Sequence, residues 1–384
     1  MERLISRYRL KCNVVLAMKK ILKTSLLTSV ALAALGASSH AAVNGEKAKT
    51  EKPGKVQEAS AALKSSKGRF DDAYIGEMRT VTAKYEDTLV HIGRDYGVGF
   101  VEMRAANPNL DPWIPGAGAR VVVPTMNLLP DAPHDGVVIN LAEMRMYIYR
   151  AKDKAPLTYP IGIGRDGLRT PVGVTRVQRK KDRPTWTPTE RMRKEDPTLP
   201  VSVPPGPDNP MGTHALYLGF ENIAIHGTNK PYGIGRRVSS GCIRMFPEDI
   251  TQVFDMLPVG TKVTVVDQPI KASWIDDKLY LEVHPTQEQA AIMEREGTVP
   301  DYQLSEKDLS YIMKVAGAGV DTLDWAEIRK VVKQRRGYPV EIATRKKVKT
   351  GEQASSVTGP QSEAVQEVPQ TAAALTERKR LFRD

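Results

Sequence analysis

A histidine and a cysteine share the stretch Ile225 to Asp249, which reads Ile-His-Gly-Thr-Asn-Lys-Pro-Tyr-Gly-Ile-Gly-Arg-Arg-Val-Ser-Ser-Gly-Cys-Ile-Arg-Met-Phe-Pro-Glu-Asp. Cys242 offers a thiol and His226 a base. The thiolate is the form that attacks carbonyl carbon, and a neighbouring imidazole is expected to lower the thiol pKa enough to supply it at neutral pH. Gly241 permits a tight turn, which is expected to bring the N–H groups of Gly241 and Cys242 to where an oxyanion develops. The Gly227 carbonyl is placed to orient the His226 ring. Arg244, with Arg236 or Arg237 before the cysteine, can grip carboxylates through paired N–H groups; surface solvation is the alternative for each and the favoured reading for Arg236. Ser239, Ser240 and Tyr232 complete the candidate substrate contacts on this loop. Taken singly, the cysteine reads as a small buried hydrophobe and the histidine as a core or surface group. Their pairing across a glycine-rich loop points instead to nucleophilic catalysis.

The elements that must hold this pair are legible around it. An apolar strand ends at Ile225, and Pro247 suits the first turn of a helix carrying Ile250, Val253, Phe254 and Leu257 at helical spacing. The arrangement is strand, loop, cysteine, helix, with the positive end of the helix expected close to Cys242.

His-Gly, a loop, and Ser-x-Gly-Cys-Ile-Arg together resemble the signature of the L,D-transpeptidases, cysteine enzymes that remodel peptidoglycan. Most of that family carries histidine where this chain has Ser240, whereas a lipoprotein-anchoring branch carries serine there. Thr170-Pro171-Val172-Gly173 and Pro184-Thr185-Trp186-Thr187-Pro188-Thr189 extend the resemblance across residues 135–267. It implies a donor tetrapeptide stem cut between the L-centre of meso-diaminopimelate and D-alanine, and a thioester on Cys242.

The first 41 residues have the layout of a secretory signal peptide. Met18-Lys19-Lys20 is basic, Ser25 to Leu35 is apolar, and Ser39-His40-Ala41 suits cleavage, with Met18 a plausible true start. The apolar run is too short for a transmembrane anchor, and no lipid-anchor cysteine follows it. This segment holds seven of the Lys/Arg residues and one Glu, so the net charge of +11 falls to +5 without it. That balance suits an anionic wall surface or an ordinary solvated face and gives no argument for nucleic acid. Cys12 leaves with the segment, and a single thiol in an exported chain calls for an explanation by reactivity. The expected location is the periplasm.

Residues 42–75 read as a linker rich in Lys, Glu, Ala and Ser. Residues 76–126 read as strand, helix, helix, strand. Asp-Thr-Leu, Tyr-Gly-Val, Asn-Pro and a closing Val-Pro there resemble a LysM module, which implies binding to wall glycan. Trp113 is placed either to stack on a sugar or to pack against the next domain. From Gly136 to Asp267 short apolar runs predict strands at 137–140, 145–149, 157–161, 172–177, 215–218, 223–225 and 262–266, a mainly β, sandwich-like domain with one helix. Eight prolines between Pro184 and Pro210 mark an insertion, read as a stiff flap over the groove with Trp186 as its contact. Residues 268–345 predict a hairpin turning at Asp276-Asp277, then helices starting at Thr286 and Asp324, the second ended by Gly337. This extension is mostly helical, and residues 346–384 read as a disordered tail. The fold class is α+β.

The six histidines show no metal-ligand spacing and no nucleotide-type glycine loop is present, so no metal and no cofactor is expected. His214 reads as structural. Three functions compete: a transpeptidase, a hydrolase of the same bond, and a catalytically silent wall-binding protein. The expected partners are peptidoglycan stems and glycan, with an outer-membrane lipoprotein lysine as acceptor or diaminopimelate in its place. Lys230, Arg236 and Arg237 are the cations expected to lower the pKa of an acceptor amine.

Overall fold

The computed structural model describes residues 73–150, 154–298 and 302–345. The expected signal peptide, most of the expected linker and the expected disordered tail lie outside them.

The N-terminal unit opens with β1 (Tyr74–Ile75), which the sequence assigns to the linker. Then come β2 (Arg79–Thr82), α1 (Leu89–Asp95), α2 (Phe100–Ala106), β3 (Arg120–Val123) and β4 (Asn127–Leu128). β2 pairs antiparallel with β3, and β1 with β4. Thr88 caps α1 by accepting the His91 N–H at 3.0 Å. Leu89, Ile92, Met103, Val121 and Val123 close a small core between helices and strands.

The middle of the chain supplies β5 (Gly136–Asn140), β6 (Arg145–Tyr149), β7 (Leu157–Pro160), β8 (Ile163–Gly164), β9 (Gly173–Asp182), α3 (Glu190–Glu195), β10 (His214–Leu218), β11 (Ala224–His226), β12 (Arg237–Ser239), β13 (Ile243–Arg244), α4 (Pro247–Met256) and β14 (Lys262–Val266). Eight of these strands form one mixed sheet, ordered β13-β11-β10-β9-β14-β5-β6-β7, and β8 pairs with β12. The ten-residue β9 joins the two halves: Gly173 to Arg176 pair with β14, and Val177 to Asp182 with β10. Val137, Ile139, Met146, Leu216, Ile225 and Ile243 share one core with Ile250 and Val253 of α4. Both halves therefore cover the same apolar interior. β9 runs five residues beyond the expected strand, because the polar residues Arg179 to Asp182 pair with β10, with Gln178 at a register shift. The domain also has a second helix, α3, inside the proline-rich insertion and capped by Thr189.

The C-terminal extension contains β15 (Ile270–Ile275), β16 (Lys278–Val283), α5 (Gln287–Glu296), α6 (Glu306–Ala316), α7 (Trp325–Gln334) and β17 (Val340–Thr344). β17 turns the expected hairpin into a three-stranded antiparallel sheet. Thr286 and Gln289 form a reciprocal capping box at the start of α5, and Asp324 accepts the Glu327 N–H at the start of α7. α7 ends at Arg335 rather than Gly337. Arg335 takes the left-handed conformation (φ 47°) despite its side chain, which is buried, lies 3.6 Å from the Tyr302 ring and donates to the His284 carbonyl.

Buried charge fastens the three units together. Glu102 of α2 and Arg145 of β6 form a paired ion bridge at 2.8 Å, both under 4% exposed. Between the central domain and the extension, Lys271 lies 2.9 Å from Glu143 and 2.8 Å from Glu282, and Glu282 is joined to His284 at 2.5 Å. Tyr147 and Asn140 also donate to Glu143. The three groups Glu143, Glu282 and His284 lie close enough to hold a metal ion. The Lys271 ammonium already bridges the two carboxylates, which makes the cluster an ion-paired joint.

Candidate active site

β11 and β13 run parallel, with Ile225 opposite Ile243 and His226 opposite Arg244. Alternation along a strand then sets the site. Ile225 and Ile243 point into the core, and Ala224, His226, Cys242 and Arg244 share the other face. One residue separates the expected strand from the observed one, and that residue brings His226 into the sheet.

The turn before Cys242 is built by Ser239. Its hydroxyl accepts the Gly241 N–H at 3.1 Å and donates to the Cys242 carbonyl at 2.5 Å. The Ser239 carbonyl accepts from Arg165 N–H, and Thr170 Oγ1 donates to the Gly241 carbonyl at 2.8 Å. Gly241 sits at φ 107°, and a Cβ there would come within 3.0 Å of Ile223, so only glycine suits the position. Two expectations change as a result. The Gly241 N–H is already engaged, leaving Cys242 N–H as the donor of this turn that has no partner among the described residues. Ser239 is buried and holds the turn, so its hydroxyl does not face a substrate. Ser240 lies half-buried beside it.

His226 is 5% exposed, and its Nδ1 is 2.6 Å from the Gly227 carbonyl. Burial, aided by the Arg244 cation, pushes the imidazole down to about 4, against smaller opposing effects from the Gly227 and Met211 carbonyls. The ring is therefore neutral at pH 7. Burial pushes the Cys242 thiol up, opposed by an Ala224 backbone hydrogen bond and by Arg244. The thiol donates to the Asn222 carbonyl at 3.5 Å. The sequence leads to a thiolate held by an imidazolium. Burial of both groups instead favours a neutral thiol and a neutral imidazole, and the nearby cation is Arg244. Arg244 is half-buried, and its Nε has no partner among the described residues.

The proline-rich insertion returns to the site at its base. Trp186 bridges Val203 and packs, with Cys242, on the small cluster of Met211, Ala215 and Ala224. Asn209 fastens this base by donating to the carbonyls of Pro184, Val203 and Pro204 and accepting the Met211 N–H at 2.8 Å. Gly212 (φ 63°) lies against Gly227 with no room for a Cβ, which lets Met211 reach the imidazole. At the far end, Glu195 of α3 meets Arg165 at 3.1 Å.

The other candidates go elsewhere. Tyr232 is exposed, with its ring 6.4 Å from His91 of the N-terminal unit. Arg237 is buried and donates to the Gln287 carbonyl at 2.6 Å. Arg236 is not a solvated surface group: its guanidinium lies 3.6 Å from the Phe100 ring centroid. Trp113 stacks on Phe100 at 6.0 Å while remaining half exposed. His214 contacts Thr213, Asp182 and Phe254. Sequence reasoning missed Met211, Ala224 and Asn222, which act through backbone atoms. Only Asn222, in a left-handed turn at φ 58°, carries a residue-type signal.

Residues 134–265 match the model of the YkuD family, the L,D-transpeptidase catalytic domain. The chain is 41% identical over 278 residues to "Probable L,D-transpeptidase ErfK/SrfK" of Salmonella typhimurium, covering 70% of this chain and 87% of that protein. It is 40% identical over 277 residues to "Probable L,D-transpeptidase YbiS" of Escherichia coli K12, covering 70% and 88%. A third relative, "Probable L,D-transpeptidase ErfK/SrfK" of Escherichia coli K12, is 44% identical over 235 residues, covering 59% and 76%.

Proposed function

The chain belongs to the L,D-transpeptidase family, and from that premise we propose that Cys242 is its nucleophile and His226 its general base, acting on peptidoglycan stem peptides. The observation that carries this is the shared face of β11 and β13, which presents the thiol, the imidazole and Arg244 together.

In the resting site both reacting groups are neutral, so proton transfer accompanies attack. As Sγ closes on the carbonyl carbon of the donor stem, its proton passes to His226, whose Nδ1 is held by the Gly227 carbonyl. The tetrahedral oxyanion is met by the Cys242 N–H. Collapse breaks the C–N bond, His226 returns its proton to the departing D-alanine amine, and a thioester remains on Cys242. An incoming amine attacks the thioester and loses a proton to His226. The C–S bond then breaks and Cys242 is restored. Arg244 is the residue for a stem carboxylate: among the described residues its Nε has no partner and no acid acts on it. Trp186 and Ser240 border the donor site.

The acceptor that the Ser240 signature favours is the ε-amine of an outer-membrane lipoprotein lysine, the protein being exported by its signal peptide to the periplasm. Arg236 and Arg237 no longer serve to depress that amine's pKa, since both are turned into the protein. Lys230, which is exposed, and Arg244 remain. The 76–126 unit holds the enzyme on wall glycan through its exposed Tyr85, Trp113 and Ile114.

Purified muropeptides incubated with the protein and an amine acceptor, followed by mass spectrometry, test the reading. Amide product with the wild type and none with Cys242→Ala is expected. Turnover surviving in Cys242→Ala removes the nucleophile, and products of water addition alone make the protein a hydrolase. Walls digested from cells with and without the protein separate the acceptors. Loss of 3-3 dimers with protein-linked muropeptides unchanged overturns lipoprotein anchoring.

A further inference from the structure

We propose that Arg236 is a positioning residue, through which helices of both flanking units hold the loop that aligns Cys242; the inference rests on Cys242 being the nucleophile. The first-turn N–H groups of a helix have no partner within it. In α2 they are met by the catalytic loop: Phe100 N–H donates to the Ile234 carbonyl at 3.5 Å and Val101 N–H to the Gly235 carbonyl at 3.1 Å. Backbones this close need two glycines. A Cβ on Gly235 (φ 73°) would lie 2.1 Å from Phe100 N, and one on Gly99 would lie 2.8 Å from the Gly235 Cα.

Arg236 closes the same contact with its side chain. Its guanidinium lies 3.6 Å from the Phe100 ring centroid and 5.8 Å from that of Trp113, with Glu294 of α5 at 3.8 Å. Arg237 donates to the Gln287 carbonyl of α5 at 2.6 Å. The loop is therefore wedged between α2 and α5, and Arg104 of α2 reaches the Gly297 carbonyl just past α5 at 3.4 Å. Neither helix is loosely mounted. α2 is fixed to β6 by the buried Glu102–Arg145 pair, and Arg169 meets Glu288 of α5 at 2.6 Å.

The loop leads into the site within three residues. Arg237–Ser239 forms β12, and the Ser239 hydroxyl holds both Gly241 and Cys242. A displacement at Arg236 is passed along this short rigid path to the sulfur. Such a displacement is expected to lower the rate of attack more than the affinity for substrate, since misplacement of about 1 Å costs on the order of a hundredfold in rate.

The experiment uses the full chain and a soluble muropeptide donor. Arg236→Met is expected to lower kcat by about tenfold or more with KM within about twofold of wild type. It should also change the pH-dependent alkylation rate of Cys242 while the protein still melts cooperatively. Arg236→Lys, which keeps a cation over Phe100, should regain most of kcat. Gly235→Ala should reproduce the loss by forcing α2 off the loop. A kcat for Arg236→Met within twofold of wild type, or a lysine variant no better than methionine, overturns the proposal. Cys242→Ala run alongside keeps the two readings apart. Turnover in that variant removes the nucleophile, whereas full turnover in Arg236→Met removes the positioning role alone.

Discussion

Arg244→Met is expected to raise the midpoint of Cys242 ionisation, and His226→Gln to leave it nearly in place. His226 titrates at about 4, so it is neutral wherever a thiol ionises and adds no net charge. Burial pushes the thiol up, and the influences opposing it are the Ala224 backbone and the Arg244 cation. Arg244 is two residues from Cys242 on the same strand face, their Cα atoms about 7 Å apart by strand geometry. One unit charge at a separation of about 7 Å and an effective dielectric of about 20 contributes no more than roughly 2 kcal/mol, favouring the thiolate. Screening on the open side of the site reduces this.

The assay is the rate of iodoacetamide alkylation from pH 6 to pH 10.5, read by intact mass. Arg244→Met should move the midpoint up. His226→Gln should abolish transpeptidation, because a base is lost, with the alkylation midpoint held. A midpoint that rises more in His226→Gln than in Arg244→Met would restore the imidazolium–thiolate pair and refute the charge assignment.

Three further outcomes follow from buried groups. Burial pushes the Asp249 carboxyl in the first turn of α4 up to about 7, with Glu248 adding to it and Arg94 opposing. A carboxyl raised in the folded state loses stability as pH climbs from its unfolded pKa near 4 to about 7, in all roughly 4 kcal/mol; thermal melts of Asp249→Asn should show a shallower fall across that window, and an unchanged slope rejects the assignment. Lys271→Met leaves Glu143 and Glu282 facing each other without their cation, and denaturant unfolding should show a loss of about 3–5 kcal/mol; a loss under 1 kcal/mol means the joint is not held by charge. Asn209→Asp removes three donor contacts at the base of the proline-rich insertion, so KM for muropeptides should rise severalfold, whereas an unchanged KM separates the insertion from the substrate groove.

The proposed catalytic pair is legible because its signal is local: His226, Gly227, Gly241 and Cys242 lie within seventeen residues, and the glycines mark the backbone shape. The helix after Pro247 and the caps at Thr286 and Asp324 were legible for the same reason. Long-range charge was not. Arg145 and Glu102 are 43 residues apart and each reads as a surface residue until the fold brings them together. Arg236 and Arg237 looked available to substrate because charge alone predicts solvation. The polar half of β9 escaped detection because its strand character comes from pairing with β10, not from an apolar pattern. The protonation of the site inverted for a related reason: residue types suggest an ion pair, and burial, which the sequence does not display, decides against it.

Residues 76–126 read from the sequence as a tether, separable from the chemistry, so that a deletion would spare turnover of small substrates. The contacts at its edge argue otherwise. Removing the unit leaves Arg145, 2% exposed in the intact protein, without Glu102, and breaking one side of a buried pair costs about 3–5 kcal/mol. It also frees the Ile234 and Gly235 carbonyls and takes the Phe100 ring from Arg236. Arg94 loses its paired contact to Glu248 at the start of α4. A chain lacking 76–126 is therefore expected to lose turnover of soluble muropeptides along with wall binding. Substitution of exposed Tyr85 and Ile114 should weaken wall binding and leave kcat on soluble donor intact, since neither touches the loop. Full kcat in the deleted chain would return the unit to the status of a tether.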